Sequence, residues 1–221
     1  MKCPFTGDTH CSCASYSPGI RGNPVLIILQ EPGVAEKELG RPATGRTGAN
    51  ICRLFKKMKQ HGCVSSTTNN NGFCFSNVSI INARTEDGQV IYQDMKYLDG
   101  ISELKSKRIV LCFGEKAVRC FKTMYRMKYL SECEKLFCFP HIGTQGLSHI
   151  NVPSKEADED RESTVLREAA RFIEKHLCGN ACCFLSVQEF LRESKFKWRK
   201  GTLQYWATQE WVQKIFNCNY D

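Results

Sequence analysis

Long apolar runs and internal repeats are missing from this sequence. A membrane-spanning helix needs roughly 18 consecutive apolar residues, and no run approaches that length. The segment Met1–His10 has no apolar core of the kind found in secretory signals. No repeat or low-complexity segment is evident, which argues against a repeat architecture. We therefore expect a soluble, cytoplasmic protein.

Regular pairs of closely spaced cysteines are also missing, although the chain has 14 cysteines. Two looser groups carry thiolate and imidazole ligands at short spacing: Cys3, His10, Cys11 and Cys13, and Cys178, Cys182 and Cys183. Neither has the Cys-x-x-Cys spacing that makes a zinc site recognisable. Elsewhere, as at Cys112, a reduced cysteine acts as a small hydrophobe. We expect free thiols and no cofactor; bound zinc, an iron–sulfur cluster or a cysteine enzyme is the alternative.

Length and charge set broader bounds. At 221 residues with 42% hydrophobic content, the chain can bury the core of one α/β domain with a small appendage. It carries 31 basic against 23 acidic residues, a net charge of +8. That excess suits a polyanionic partner without requiring one.

Short apolar runs alternate with helical patterns along the chain. The runs are 25–29, 73–81, 108–113 and 136–140. Between and after them, apolar residues recur at helical spacing, first from Ile51 to Met58, then from Ala117 to Tyr125, then from Val165 to Ile173. This alternation predicts a three-layer αβα fold around a central four-stranded parallel sheet, formed by residues 1–178. Residues 179–221 are predicted to be a helical extension packed on it.

Polar side chains follow each predicted strand. They are Gln30 and Glu31 after the first, Asn77 in the second, Glu115 after the third and His141 after the fourth. Ligands bind beyond the carboxyl ends of parallel strands, where such groups would meet. A carboxylate, an amide and an imidazole around one crevice can position water, read a hydrogen-bonding edge and stabilise a leaving anion.

The segment Gln30–Gly33 followed by Gly40–Gly48 resembles the first motif of the uracil-DNA glycosylase superfamily. The pattern is closest to its iron–sulfur branch, family four, which has Gly-Glu-Ala-Pro-Gly and then Gly-Arg-Pro-Phe-Val-Gly-Arg-Ala-Gly. Weaker similarities follow at 76–78, at 112–117 and in the loop His141–Ser148. The resemblance covers roughly residues 20 to 178. It implies a DNA glycosylase that flips a base out of the helix and hydrolyses its glycosidic bond.

The resemblance also implies roles for individual residues. Glu31 stands where classical uracil glycosylases carry an aspartate, and Gln30 stands where family four carries a glutamate. Glu31 is therefore the expected catalytic carboxylate, with Gln30 beside it in the water-positioning and base-binding apparatus. His141 is expected to donate a hydrogen bond to the departing base, and Asn77 to read its pairing edge. No lysine is placed as a Schiff-base nucleophile, so a monofunctional enzyme is expected. The protein is also expected to be a monomer.

Contacts to DNA are expected on both sides of this crevice. On one side, the backbone amides of Gly45 to Gly48 and the side chains of Arg41 and Arg46 form a phosphate clamp. The facing loop supplies Thr144 and Ser148 to phosphate and Leu147 as the wedge that replaces the flipped base. In the alternative interpretation, Leu147 anchors the loop to the core.

Two positions depart from the family pattern. Ala43 stands where family four has the phenylalanine that stacks on the flipped base, which predicts an enlarged pocket. Such a pocket fits a bulky modified cytosine, such as glucosylated hydroxymethylcytosine in phage DNA, and hence antiviral defence. Uracil in DNA repair is the alternative, with Phe73 or Phe75 refilling the gap. Ile81 stands where family four places one cluster cysteine, so that ligand is predicted to be lost.

A further alternative is a catalytically inactive DNA-binding protein of the same fold. It would use the basic and aromatic segment Lys195–Lys200, which combines cations with Phe196 and Trp198. Glu31, Asn77 and His141 occurring together argues against this interpretation.

Overall fold

A mixed β-sheet organises the chain. The computed structural model describes residues 13–60, 73–93, 96–152, 160–177, 183–185, 187–194 and 197–198. The strands are β1 (Tyr16–Ser17), β2 (Val25–Leu29), β3 (Ser79–Asn82), β4 (Ile109–Phe113), β5 (Lys135–Phe139), β6 (Ile150–Asn151), β7 (Cys183–Leu185) and β8 (Lys197–Trp198). Six of them form one sheet in the order β1-β3-β2-β4-β5-β7, and β6 pairs with β8 separately. The protein is therefore α/β.

The sheet is larger than the four strands predicted. Strands β3, β2, β4, β5 and β7 run parallel, and β1 closes one edge by pairing antiparallel with β3. The expected four parallel strands correspond to β2, β3, β4 and β5. Every residue of these four is buried, as expected for parallel strands covered on both faces.

Helices cover both faces of the sheet. The α-helices are α1 (Val34–Leu39), α2 (Gly45–Gln60), α3 (Lys96–Asp99), α4 (Glu115–Arg126), α5 (Thr144–Ser148), α6 (Arg161–Leu177) and α7 (Val187–Ser194), with 3₁₀ turns at Ile91–Gln93 and Ser102–Ser106. One core packs Ile27 against apolar residues of α2 and α6, whereas the other packs Ile28 against those of α4. The arrangement is compatible with three layers. Within the described ranges, no helix is long and apolar enough to cross a membrane.

Strand β3 begins six residues later than the predicted run. The backbone N–H groups of Asn77 and Val78 both donate to the carbonyl of Cys74, at 2.8 and 3.2 Å, so the chain turns here. Phe73 is buried and packs edge-on against Phe55, with ring centroids 5.5 Å apart. Phe73, one of the aromatic residues that suggested a strand, is thus buried although it lies in a turn.

The C-terminal segment is not entirely helical as predicted. Residues 183–185 form β7, which extends the main sheet beside β5, and α7 follows. The ring of Phe184 packs edge-on against Tyr125, with centroids 5.8 Å apart, which ties the strand to α4. Of the basic and aromatic segment, the structure describes Lys197–Trp198, which pairs with β6 as β8. Residues 199–221 of the predicted helical extension lie outside the described residues.

Candidate active site

Two of the predicted functional residues lie at the carboxyl edge of the sheet, on either side of β4. Glu31 comes two residues after β2, and His141 comes two residues after β5. Strand β4 lies between these strands in the sheet, and Gly114 follows it at the start of α4. The loops after three neighbouring parallel strands therefore meet at one edge of the sheet, in the place where open α/β sheets bind ligands.

Glu31 is held by two basic side chains. Its Oε2 lies 2.6 Å from Nζ of Lys116 and 3.8 Å from Nε of Arg84. The hydrogen bond from Lys116 is the main cause that lowers the pKa of Glu31; burial opposes it, and the charges of Lys116, Arg84 and His141 add to the lowering. The side chain is 49% exposed. An ionised carboxylate is therefore available to solvent and to a substrate at neutral pH.

The imidazole of His141 is held by the backbone of its own loop. The N–H of Gly143 donates to Nδ1 of His141 at 3.0 Å, which assigns the ring proton of the neutral form to Nε2. Burial lowers the pKa of His141, and the negative charge of Glu31 opposes that shift in part. The ring is therefore neutral at pH 7, with Nε2–H as a hydrogen-bond donor.

Close packing against α2 fixes the shape of the His141 loop. The buried side chain of Asn50 donates from Nδ2 to the carbonyl of Ile142 at 2.9 Å. A Cβ at Gly143 would lie 2.8 Å from Cε1 of His141 and 3.4 Å from Oγ1 of Thr47. A Cβ at Gly146 would overlap the carbonyl oxygen of His141. These glycines allow the loop to fold tightly around its own histidine. Helix α2 begins at Gly45, so Thr47 lies in its first turn.

Gln30 packs over the end of β4. A Cβ at Gly114 would lie 2.5 Å from Cδ of Gln30, and Gly114 itself has a φ of 98°, which favours glycine. The carboxamide therefore rests on the turn that begins α4, next to the two strand ends that carry Glu31 and His141. This placement keeps Gln30 at the same edge of the sheet as both of them.

Asn77 does not join this group, which corrects the prediction. Because β3 begins at Ser79 and runs parallel to β2, Asn77 lies at the opposite, amino-terminal edge. Its carbonyl accepts the N–H of Ile20 at 2.9 Å, and its Oδ1 accepts the hydroxyl of Ser76 at 3.0 Å. Asn77 thus stabilises the turn before the strand.

Asn82 takes the position that was assigned to Asn77. It ends β3 level with Leu29, is fully buried, and donates from Nδ2 to the carbonyl of Ala14 at 2.7 Å. Among the described residues, no group donates to its Oδ1. The signal was present in the sequence, because the apolar run ending at Ile81 leads directly into Asn82.

Ala43 lies in a tight buried turn. It is 2% exposed with a φ of 55°, and its N–H donates to the carboxylate of Glu36. A Cβ at Gly48 would overlap the carbonyl oxygen of Ala43 and would lie 3.4 Å from Cζ of Phe75. Phe73 and Phe75 were the two aromatic residues expected to fill the space left by Ala43. Phe75 lies beside this turn and is partly exposed, whereas Phe73 is buried in the core.

Some of the predicted DNA-contacting side chains have partners within the protein, and others are exposed to solvent. Arg46 forms an ion pair with Glu162 of α6, so its guanidinium has an intramolecular partner. Arg41 and Thr144 are exposed, and the hydroxyl of Ser148 donates to the carbonyl of Gln145 at 2.8 Å.

Leu147 is 4% exposed and packs in the core between the sheet and α6. An insertion wedge has to project from the surface, so the structure corrects that prediction in favour of the anchoring role. The reason is local, because the short helix α5 turns Leu147 toward the buried face of the sheet.

A basic cavity of about 280 Å³ adjoins Glu31 and was missed by the sequence analysis. Four of its lining residues are charged: Arg84, Glu115, Lys116 and Arg119. Ala83, Val90 and Tyr92 complete the wall. Two of these cations are the ones that hold Glu31, so the cavity opens beside the candidate carboxylate.

Within the part of the chain that the structure describes, no three His, Cys, Asp or Glu side chains are grouped to hold a metal ion. Cys13 is buried and Cys183 is half-buried. The other members of the two cysteine groups, Cys3, His10, Cys11, Cys178 and Cys182, lie outside the described residues.

Comparison with known proteins adds no assignment to this geometry. No protein-family model and no curated protein sequence matches the chain. The resemblance to the uracil-DNA glycosylase superfamily therefore stays a prediction from the motifs.

Proposed function

We propose that this protein is a DNA glycosylase that hydrolyses the N-glycosidic bond of a flipped pyrimidine and leaves an abasic site. The observation that carries the proposal is the pair of groups at one end of the sheet. Glu31 is an ionised carboxylate, and His141 is a neutral imidazole whose Nε2–H is free of the intraloop contact made by Nδ1. The mostly parallel sheet with helices on both faces is compatible with the three-layer fold of the uracil-DNA glycosylase superfamily.

The two groups match the charges that develop when the bond breaks. Positive charge forms on the sugar and negative charge on the departing base. Glu31 stabilises the sugar cation and orients the attacking water, and Gln30 supports the water from the turn beside it. His141 donates from Nε2 to the base and stabilises its anion. The net charge of +8 favours DNA as the polyanionic substrate.

The favoured base is a bulky modified cytosine, such as glucosylated hydroxymethylcytosine in phage DNA. Ala43 stands where the family pattern has an aromatic residue, so the side chain at this position before α2 is smaller than in that pattern. Antiviral defence is the setting that this substrate implies.

Uracil is the second candidate, and the position of Phe75 favours it. The partly exposed ring of Phe75 lies against Gly48, beside Ala43, where it can stack on a pyrimidine that carries no bulky substituent. With this base, the protein would act in DNA repair.

Parallel assays on two substrates test the proposal. Oligonucleotides with uracil and DNA with glucosylated hydroxymethylcytosine are incubated with the protein, and abasic sites are then counted. We expect release of one of these bases and a fall of at least about 100-fold in Glu31→Gln. DNA binding should persist in this variant, because removing a negative charge does not weaken the attraction for DNA phosphates.

Glu38→Gln removes an exposed carboxylate of α1 and serves as the matched control. Unchanged base release in Glu31→Gln would overturn the mechanism. Binding without release of any base would favour the inactive DNA-binding alternative.

A further inference from the structure

The amine of Lys116 lies against the candidate catalytic carboxylate. Lys116 is the second residue of α4, its Nζ is 2.6 Å from Oε2 of Glu31, and its side chain is 39% exposed. If Glu31 acts beside C1′ of the flipped nucleotide, the amine of Lys116 lies close to the same carbon, because it is in contact with the Glu31 carboxylate. The lysine was missed in the sequence, because the second position of a helix after a strand is commonly a solvated charge.

A second lysine shows what a structural role looks like in this fold. Lys107 is fully buried at the amino edge of the sheet, where its Nζ donates to the carbonyl of Asn23 at 2.8 Å and to the hydroxyl of Ser79 at 2.7 Å. It is surrounded by fixed acceptors and cannot reach a substrate. Lys116, by contrast, faces solvent, a carboxylate and a cavity.

We propose that Lys116 gives the site a second activity, cleavage of the DNA strand at an abasic site through a Schiff base. The substrate is the ring-opened abasic sugar, which carries an aldehyde at C1′. The proposal rests on the proposed function for the supply of that sugar, but the chemistry can be tested on abasic DNA made independently. Amines of lysine form Schiff bases with carbonyl substrates, and activation of the amine requires a neighbouring proton acceptor.

The steps balance with Glu31 as the proton carrier. The ammonium of Lys116 gives a proton to Glu31, and the neutral Nζ adds to the C1′ aldehyde. Glu31 returns its proton to the hydroxyl of the adduct, which leaves as water, and an iminium ion remains. The regenerated carboxylate of Glu31 then removes a proton from C2′; those electrons form the C2′–C3′ double bond, and the C3′–O bond breaks. The 3′ phosphate departs with the bonding pair as the 5′-phosphate end of the downstream strand. Addition of water to the iminium releases Lys116 and leaves an unsaturated aldehyde on the upstream strand.

The cavity beside Lys116 suits the leaving phosphate. Arg84 and Arg119 line the same space of about 280 Å³ as Lys116. Arg119 also pairs with Glu115 on the same helix, and Arg84 lies 3.8 Å from Glu31, so both guanidinium groups are held at the cavity wall. Arginine binds phosphate oxygens with paired hydrogen bonds, which would stabilise the charge that appears as the C3′–O bond breaks.

Borohydride trapping on preformed abasic DNA tests the proposal. A duplex with a chemically prepared abasic site is incubated with the full chain and sodium borohydride, which reduces the iminium to a stable protein–DNA adduct. We expect an adduct that peptide mapping assigns to Lys116. Without borohydride we expect strand cleavage with a 5′-phosphate on the downstream product.

Lys116→Arg is the informative variant, because an arginine keeps the ion pair with Glu31 but lacks the nucleophilic amine. Trapping should fall at least about 100-fold, as expected for loss of a covalent nucleophile. Binding to a duplex with a tetrahydrofuran analogue of the abasic site should stay within about twofold, since the charge is retained. Lys105→Arg, at an exposed lysine of the 3₁₀ turn Ser102–Ser106, is the matched control and should trap as the wild type does.

No adduct with the wild-type protein would overturn the proposal, and so would an adduct that maps to another amine or persists in Lys116→Arg. These outcomes are independent of base release. Release of a base without trapping would leave the proposed function standing and remove this second activity. Trapping on preformed abasic DNA without release of any base would leave this second activity standing and remove the proposed function.

Discussion

The two sides of the candidate active site are held in different ways. Glu31 is half exposed, and two side chains fix its carboxylate: Lys116 of α4 and Arg84 of the hairpin that is closed by the antiparallel bridge between Arg84 and Val90. His141 is mostly covered, and a backbone N–H two residues later fixes its ring. Ion pairs of exposed side chains can be exchanged or screened, whereas a backbone contact changes only with the shape of the loop. Loop geometry should therefore control the imidazole, and charge should control the carboxylate.

The largest effect is expected from Gly146→Ala on the imidazole side. The new Cβ would overlap the carbonyl oxygen of His141, so the loop must move and carry the ring with it. We expect a loss of about 1–3 kcal/mol in the free energy of unfolding and a fall of about 100-fold in base release. Thermal unfolding and the abasic-site assay measure the two quantities.

Gly88→Ala is a control that introduces backbone strain without steric overlap. Gly88 has a φ of 84° and nothing within 4 Å of the Cβ position, so an alanine there is strained but meets no neighbour. This variant should lower the free energy of unfolding by about 1 kcal/mol and leave base release unchanged. Equal loss of activity in both variants would contradict the role of loop shape at His141.

A smaller effect is expected when the charge of Glu31 is removed and His141 is titrated. Burial lowers the pKa of His141 below its ordinary value of 6.5, and the charge of Glu31 raises it in part. In Glu31→Gln the pKa of His141 should therefore fall further, as followed by NMR of the ring protons.

The sign of the linkage follows from this depressed pKa. The native state binds the His141 proton less readily than the unfolded chain, so the contribution to stability is present above pH 6.5 and is lost as the pH falls through the native value. Base release should fall over the same acidic range, because a second ring proton would oppose the N–H of Gly143. A rise in the pKa of His141 in Glu31→Gln would show that the two groups are not coupled as described.

The smallest effect is expected from salt, and on the carboxylate side. Raising the ionic strength to about 1 M shortens the Debye length to about 3 Å and weakens exposed ion pairs. The hydrogen bond from Lys116 and the nearby positive charges lower the pKa of Glu31, so this pKa should rise toward 4.5 in high salt. Carbon-detected NMR of the carboxyl group gives the value. If high salt shifted the pKa of His141 more than that of Glu31, charge would control the imidazole rather than the carboxylate.

The sequence predicted the centre of the sheet better than its edges. The run 25–29 is β2 with the predicted bounds, and 108–113 is β4 to within one residue. Both strands are covered on two faces, so their apolar residues are contiguous and easily recognised. Strands β1 and β7 have two and three residues, too few for any periodic signal.

The candidate site was predicted where it depends on strand ends and missed where it depends on tertiary contacts. Glu31 and His141 follow strands whose ends were recognised. Asn77 was assigned to the site because a buried turn has the apolar composition of a strand; the later start of β3 moves it to the far edge of the sheet. Lys116 and Arg84 carry no local signal, because charged residues on a helix and a hairpin resemble any solvated surface until the fold brings them to a carboxylate.

The order of the strands also suits synthesis from the N-terminus. Of the parallel strands, β2 is made first; β3 then pairs on one side of it, while β4, β5 and β7 add in turn on the other. After β2, each parallel strand joins an edge that already exists, and none has to insert between two paired neighbours. Domains begin to fold from their N-terminal part during translation. On the ribosome, a nascent chain would therefore carry Glu31 and Lys116 before β5 delivers His141.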